Sequence, residues 1–335
     1  MAEPAGRRDA IDVLGIGNAL VDVLSHASDA LVAGRGLAKG TMCLVDEADA
    51  RNLYDAMGPG VQISGGSAAN TIVGVASFGA RAHYVGKVRN DQLGEVFAHD
   101  LRSTGVGYDT PRATAGPATG RCLILITPDA QRTMSTFLGA STRLTPGDID
   151  ARLIARAKIV YLEGYLFDPP EAQEAFRAAA RMAHAAGGKV SLTLSDPFCV
   201  DRHREAFLDL LEHHVDILFA NEAEICSLYQ VGDFDAALQA VRRHSQVAAL
   251  TRGVRGSVIV AGDEVHVVDA HPVESLVDTT GAGDLYAAGF LVGLSRGLDL
   301  AACGRLGSLA AAEVISHIGA RPATPLAELG AALLR

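Results

Sequence analysis

From residue 157 onward the sequence alternates between short apolar, β-rich runs and longer stretches with helical spacing. The runs fall at 159–162, 189–194, 217–220, 248–251 and 256–261, and the helical stretches at 171–186 and 204–214. Strands separated by a helix-length crossover run in the same direction, because the helix carries the chain back over the sheet. The spacing predicts an α/β fold with a central, mainly parallel sheet covered on both faces.

Two earlier segments break that rhythm. Residues 34–46 and 118–137 hold short β-rich runs such as Arg121-Cys122-Leu123-Ile124-Leu125-Ile126-Thr127, closed by turn material at Pro128-Asp129. They read as strands of a small separate sheet. A chain of 335 residues, 49% hydrophobic and 20% charged, buries a large core, yet it slightly exceeds what one core usually serves. One principal domain with a smaller appendage is expected.

Charge and cysteine usage exclude several function classes. Lys and Arg number 29 against 39 Asp and Glu, a formal net charge of -10, which argues against a nucleic-acid or anionic-membrane surface. A local basic pocket for phosphates stays open. Trp is absent and aromatics are 5%, so stacking platforms for single strands are not expected. Cys43, Cys122, Cys199, Cys226 and Cys303 are scattered and odd in number, as in reduced cytosolic proteins, so a cytoplasmic location is expected. Residues 1–10 are polar, with Arg7 and Arg8, and no apolar signal region or run of 18 apolar residues follows. Neither export nor membrane spanning is expected.

The stretch most suggestive of chemistry is Asp278-Thr279-Thr280-Gly281-Ala282-Gly283-Asp284, followed by an apolar run over 285–294. Two glycines flank one small residue and an acid closes the loop where a helix can begin, so four consecutive backbone N–H groups can point at one spot. An anion hole edged by a carboxylate suits phosphoryl transfer: the amides and helix dipole stabilise oxygens of the migrating group while the acid accepts a proton from the attacking hydroxyl. The bland alternative is a glycine turn with a dipole-favoured acid.

Other strand ends carry polar groups. After the apolar run 11–17 the chain turns through 18–22, where Asn18 and Asp22 either bind a polyhydroxy ligand or belong to an ordinary turn. Leu20 replaces the third glycine of a dinucleotide fingerprint. Gly65-Gly66 opens a small-residue helix, letting a ligand approach the backbone, with Asn70 one turn in. Asn221-Glu222-Ala223-Glu224 puts an amide and two acids at a strand-to-helix junction, either for magnesium-bound water or as dipole partners. The turn through Thr251, Gly253 and Gly256 receives nucleotide phosphates or makes a hairpin. There is no Walker-type loop, no G-x-S-x-G elbow and no zinc-type spacing, and His213-His214 reads as a helix end.

Three of these pieces together resemble one known family. Residues 65–70, running on to Gly86 and Gly94, resemble the first motif of the ribokinase-like (PfkB-type) carbohydrate kinases; 278–284 resembles their second motif, and 221–224 their Asn-x-x-Glu element. The similarity runs from Gly15 to about Pro322. Within the family, 17–22, 192–198 and 215–222 are more similar to the adenosine-kinase branch than to ribokinase or fructokinase. This resemblance implies a ribokinase-like three-layer sandwich, one domain over 1–335, with a small β-sheet lid at about 20–50 and 108–138.

It also implies ATP-dependent phosphorylation of a primary hydroxyl, adenosine to AMP above all, in purine salvage. Asn18, Asp22, Gly65, Gly66 and Asn70 would hold the ribose, and Asp284 would be the base beside the amides of Gly281, Ala282 and Gly283. Met42, Cys122, Leu138, Tyr165 and Phe167 would lie near the nucleobase. Asn221 and Glu224 would organise Mg2+ through water, and Thr251, Gly253 and Gly256 would line the ATP site. Arg132 would contact phosphate on lid closure, or remain a solvated lid residue. A monovalent cation, K+, would use the carbonyls of Asp278 and Thr280. Leu285-Tyr286 after the acid, and Met42 where some adenosine kinases carry Gln, depart from the pattern. A sugar kinase and a catalytically idle nucleoside-binding protein are the alternatives; a monomer is favoured over a dimer.

Overall fold

The computed structural model describes residues 10–129 and 131–334; the amino-terminal reading above falls on residues 1–9, outside the described residues. Among the described residues the strands in chain order begin with β1 (Ile11–Ile16), β2 (Leu20–His26), β3 (Met42–Leu44), β4 (Gly60–Gly65) and β5 (Ala82–Val85). Next come β6 (Gly107–Tyr108), β7 (Gly120–Ile126), β8 (Arg132–Phe137), β9 (Ala157–Glu163) and β10 (Lys189–Thr193). The last are β11 (Ile217–Asn221), β12 (Val247–Thr251), β13 (Ser257–Ala261) and β14 (Glu264–Val268).

Nine of them form one sheet in the order β14-β13-β12-β11-β10-β9-β1-β5-β6. All neighbours from β12 to β6 are parallel, as the alternation predicts. β13 runs antiparallel to β12 because the connection between them is a single 3-10 turn, Gly253–Arg255, too short for a crossover, and β14 in turn pairs antiparallel with β13. The turn at 251–256 is therefore a hairpin.

Period-two alternation splits the core into two faces. On β9, Ile159 and Tyr161 join one cluster with Ile72, Phe290 and Leu306, while Val160 and Leu162 join the other with Phe176, Phe207 and Leu228. The first layer is built from the helices Ser67–Ser77, Ala282–Ser295 and Leu300–Val314, and the second from Pro170–Ala185, Pro197–His214, Glu222–Tyr229 and Phe234–Val241. The helix Pro197–His214 starts seven residues before the expected 204, because Asp196 caps it by accepting from the Cys199 amide at 2.6 Å and Pro197 stands at its first turn. It breaks helical geometry once, at His203, one residue before the sequence reading began it.

The second sheet runs β3-β8-β7-β2-β4. Here the structure corrects the reading of 18–22 as a turn: β2 starts at Leu20, so Asp22 is a strand residue, paired with Ile63 and Cys122. β4 adds residues 60–65, beyond the expected segments, and Tyr108 belongs to the large sheet. On β2 and β7 the residues Val21, Val23, Leu123 and Leu125 face the main core, whereas Leu20, Asp22, Cys122 and Ile124 face a cavity. The chain passes from β1 to β2 through 17–19, which places Asn18 in the corner between the two sheets.

Candidate active site

One cavity of about 750 Å³ lies where the carboxyl ends of the large sheet meet the small sheet, a volume suited to small-molecule ligands. Asn18, Glu163, Thr193, Asn221 and Thr251 come from strand ends, Asp22, Met42, Cys122 and Met134 from the small sheet, and 279–284 from the glycine loop.

The loop leads into the helix Ala282–Ser295. Gly281 has φ 81°, and a Cβ there would stand 2.8 Å from Cα of Ala320, so both backbone conformation and packing demand glycine. The Thr280 amide donates to Asp278 Oδ1 at 3.0 Å and the Ala282 amide to the Thr279 carbonyl at 3.2 Å. This corrects the expectation of consecutive converging amides, because a tight turn uses its own donors. Among the described residues no backbone acceptor is recorded for the amides of Gly281, Gly283 and Asp284. A Cβ on Gly283 would meet nothing within 4 Å, so glycine there keeps the space above the amides open.

Asp284 sits in the first turn of that helix and points into the cavity. Ser67 Oγ donates to its Oδ1 at 2.6 Å and Asn70 Nδ2 to its Oδ2 at 3.3 Å. Burial pushes the carboxyl up to about 6, with the Ser67 and Asn70 hydrogen bonds holding it down. Asp22 is likewise pushed up to about 6 by burial, opposed by the nearby charges of Arg321 and Arg132. A Cβ on Gly65 would fall 2.4 Å from the Asp22 carboxyl, so Gly65 serves the site by giving that carboxyl room without lining the cavity. Gly66, with φ 103°, lets the backbone pass the Asn18 carbonyl and does line it.

Asn18 is braced on all sides. Its amide N–H and Nδ2 donate to Glu163 Oε1 at 3.2 and 2.8 Å, and its Oδ1 accepts from Ser141 Oγ at 2.7 Å. Glu163 Oε2 accepts from the Ala68 amide at 2.7 Å. One buried carboxylate thus ties the corner between the sheets to the start of the helix Ser67–Ser77. Burial raises Glu163 to about 7 despite these donors.

The wall near the small sheet combines Met42, Leu44, Ile124, Met134 and Leu138 with Tyr165 and Phe198. Cys122 is in this wall as a neutral thiol, pushed up to about 12 by burial. Phe167 is not: it stacks on Phe207 at 4.5 Å between ring centroids inside the core, because the 3-10 turn Gly164–Phe167 sends Tyr165 to the cavity and Phe167 away from it. Gly256 also lies outside the cavity; its φ of 75° closes the hairpin, with no space for a Cβ against Val268.

On the opposite side Asn221 and Glu224 form a reciprocal helix cap. Asn221 Oδ1 accepts from the Glu224 amide and Glu224 Oε2 from the Asn221 amide, both at 2.9 Å. Both line the cavity with Thr251 and Gly253, and burial pushes Glu224 up to about 7. Among the described residues no group of three or more His, Cys, Asp or Glu side chains could hold a metal directly. This donor set fits a magnesium ion carried on phosphates and reached through water. The Arg132 side chain is only 8% exposed, with Nη2 3.0 Å from Asp278 Oδ2, a charge contact without hydrogen-bond alignment. The solvated alternative for Arg132 is thereby overturned.

The sequence pattern of the pfkB family carbohydrate kinases matches residues 45–327. The chain belongs to this family. A probable sugar kinase from Rhizobium etli superposes with a TM-score of 0.90 at 48% identity, covering 97% of this chain and 99% of that one. Adenosine kinase from Sinorhizobium meliloti gives 0.89 at 48% identity with the same coverage. Adenosine kinase from Saccharomyces cerevisiae is 29% identical over 326 residues, 91% of this chain and 94% of the yeast protein. The protein is a pfkB-family kinase of sugars or nucleosides with the ribokinase-like fold, and kinases of this family use ATP, generally with Mg2+. No helix among its described residues is long and apolar enough to cross a membrane.

In this pfkB-family kinase three site residues escaped the sequence reading. Ser67 lay inside a motif already singled out and was passed over for Asn70. Glu163 had a signal, an acid closing an apolar strand, since a carboxylate in such a run needs buried donors. Arg321 had none, because its partners Ser64, Asn70 and Asp100 are remote in sequence.

Proposed function

We propose that the protein transfers the γ-phosphoryl group of ATP to the 5′-hydroxyl of adenosine, giving AMP and ADP. The observation that carries this reading is Asp284, held by Ser67 and Asn70 at the start of a helix whose free amides open onto the cavity that Asp22 also enters. Asp284 accepts the hydroxyl proton as the acceptor oxygen bonds to phosphorus and the bond from phosphorus to the departing ADP oxygen breaks. The amides of Gly281 and Gly283 stabilise the charge on the moving group. Asp22, the Gly66 backbone and the remaining amide proton of Asn18 hold the ribose.

Asn221 and Glu224 hold the water shell of Mg2+, which when bound neutralises phosphate charge. Thr251 and Gly253 border the nucleotide, and Arg132 has donors left over for phosphate. The carbonyls of Asp278 and Thr280 accept no recorded hydrogen bond among the described residues and are the proposed K+ ligands. The small sheet acts as a lid that keeps water from taking the phosphoryl group.

Adenosine is favoured over a bare sugar by the apolar wall from Met42 to Phe198, which suits a planar base and which ribose would leave unfilled. The equal likeness to a probable sugar kinase keeps a sugar acceptor as the second reading. ADP release measured over adenosine, other nucleosides, ribose and fructose tests both. The highest kcat/KM is expected with adenosine; preference for ribose or fructose would install the second reading, and binding of adenosine without ADP release would mean an idle binder.

A further inference from the structure

Arg321 follows the helix Leu300–Val314 and sits behind the cavity wall beside Ala320, its side chain 15% exposed. Its guanidinium is clamped on two sides: Nη1 donates to Asp100 Oδ2 at 2.9 Å and Nη2 to Ser64 Oγ at 2.6 Å. Asp100 Oδ2 also accepts from the Ser64 amide at 2.8 Å and from Ser64 Oγ at 2.5 Å, so the clamp is itself fixed. The third edge, Nε, donates to Asn70 Oδ1 at 3.4 Å.

The two ends of an Asn amide have nearly the same shape and are told apart only by their partners. With Oδ1 held by a guanidinium, Nδ2 is the end that faces Asp284. The reversed amide would set NH2 against the guanidinium and a carbonyl oxygen against the carboxylate, both repulsive. We propose that Arg321 is a positioning residue for phosphoryl transfer, locking the Asn70 amide so that its donor faces Asp284. The inference rests on the functional reading above.

Without the lock Asp284 loses a donor that stabilises its charged form. The charged and titratable groups around it are Asp22 from β2, Glu163 and Tyr161 from β9 and Tyr165 just beyond, and none of them replaces that donor. Asp22, which faces Arg132, Cys122 and Asp284 as well, would keep only one of its two nearby cations.

The test compares the wild-type protein with Arg321→Met, Arg321→Lys, Asn70→Ala and the double variant Asn70→Ala/Arg321→Met, by steady-state kinetics with ATP and adenosine across pH. Arg321→Met is expected to lower kcat about tenfold or more with the KM for ATP little changed. The acid limb of its kcat profile should move up by about half a pH unit or more. Arg321→Lys should recover part of both, and the double variant should lose no more than Asn70→Ala alone. A folded Arg321→Met with wild-type kcat and pH profile, or losses that multiply in the double variant, would overturn the proposal. If Arg321→Met does not fold, the acid limb of Arg321→Lys decides in the same way. Wild-type protein that releases ADP with no acceptor would instead sink the functional reading, and this inference with it.

Discussion

Ser67 and Asp284 lie 217 positions apart and share a 2.6 Å hydrogen bond. It joins the first turns of two helices, so two glycine-preceded helix starts converge on one carboxylate. Burial raises that carboxylate to about 6 and the serine holds it from going further.

Removing the proposed base should cost most. Asp284→Asn should lower kcat by about 10²–10⁴-fold with a smaller effect on KM, measured by ADP release with adenosine. In the parent, kcat should fall as pH drops through about 6, because the base must be ionised.

The same group carries a stability signature of the opposite sense. Its folded pKa of about 6 exceeds the ordinary 3.8, so folding takes up a proton and the group's contribution declines as pH rises between those values. A shift of this size is worth on the order of 3 kcal/mol. Asp284→Asn should lose less stability than the parent as pH rises from about 4 to about 6 in denaturant titrations. An equal loss in both would place the proton uptake on Asp22 or Glu163 instead.

Ser67→Ala removes a donor that stabilises the charged form of Asp284. Its acid limb should move above about 6, so activity near neutrality falls further than activity at higher pH. A uniform drop at every pH would mean that Ser67 acts only in packing.

Two glycines should differ in how they fail. Gly281→Ala forces a side chain into φ 81° and against Ala320, and should lower the unfolding midpoint as well as turnover. Gly283→Ala has open space around its Cβ and should fold normally, with turnover lost because the methyl enters the space over the free amides. Circular dichroism melts beside kinetics separate the two.

If the small sheet is a lid, hydrogen exchange over about 20–50 and 108–138 should slow when adenosine and a nonhydrolysable ATP analogue are added. Arg132→Ala should raise the KM for ATP and weaken that protection, since Arg132 links β8 to the loop residue Asp278. Unchanged exchange on ligand addition would remove the lid from the mechanism.

Much of this was legible before folding. The rhythm from 157 onward specified the parallel strands, because apolar period and crossover length are local properties of the chain. The glycine loop with Asp284, the Gly65-Gly66 opening and the Asn221–Glu224 pair were readable for the same reason, since backbone turns and helix starts depend on neighbours only a few residues away. Where the reading went astray the deciding forces were distant. Asp22 looked like a turn residue until its pairing with β4 and β7 made it a strand residue. Phe167 looked like a pocket wall until Phe207 claimed it for the core.

The sequence by itself determined which pieces exist: the parallel strands, the glycine-led helix start and the acid in its first turn. Only the tertiary structure decided how those pieces are charged and aimed. Burial of Asp22, Glu163 and Asp284 in one cavity raised all three carboxyls, and Ser67, Asn70 and Arg321 set their partners from remote parts of the chain. Desolvation and hydrogen-bond geometry depend on what surrounds a group in space, and no local stretch of sequence contains that information.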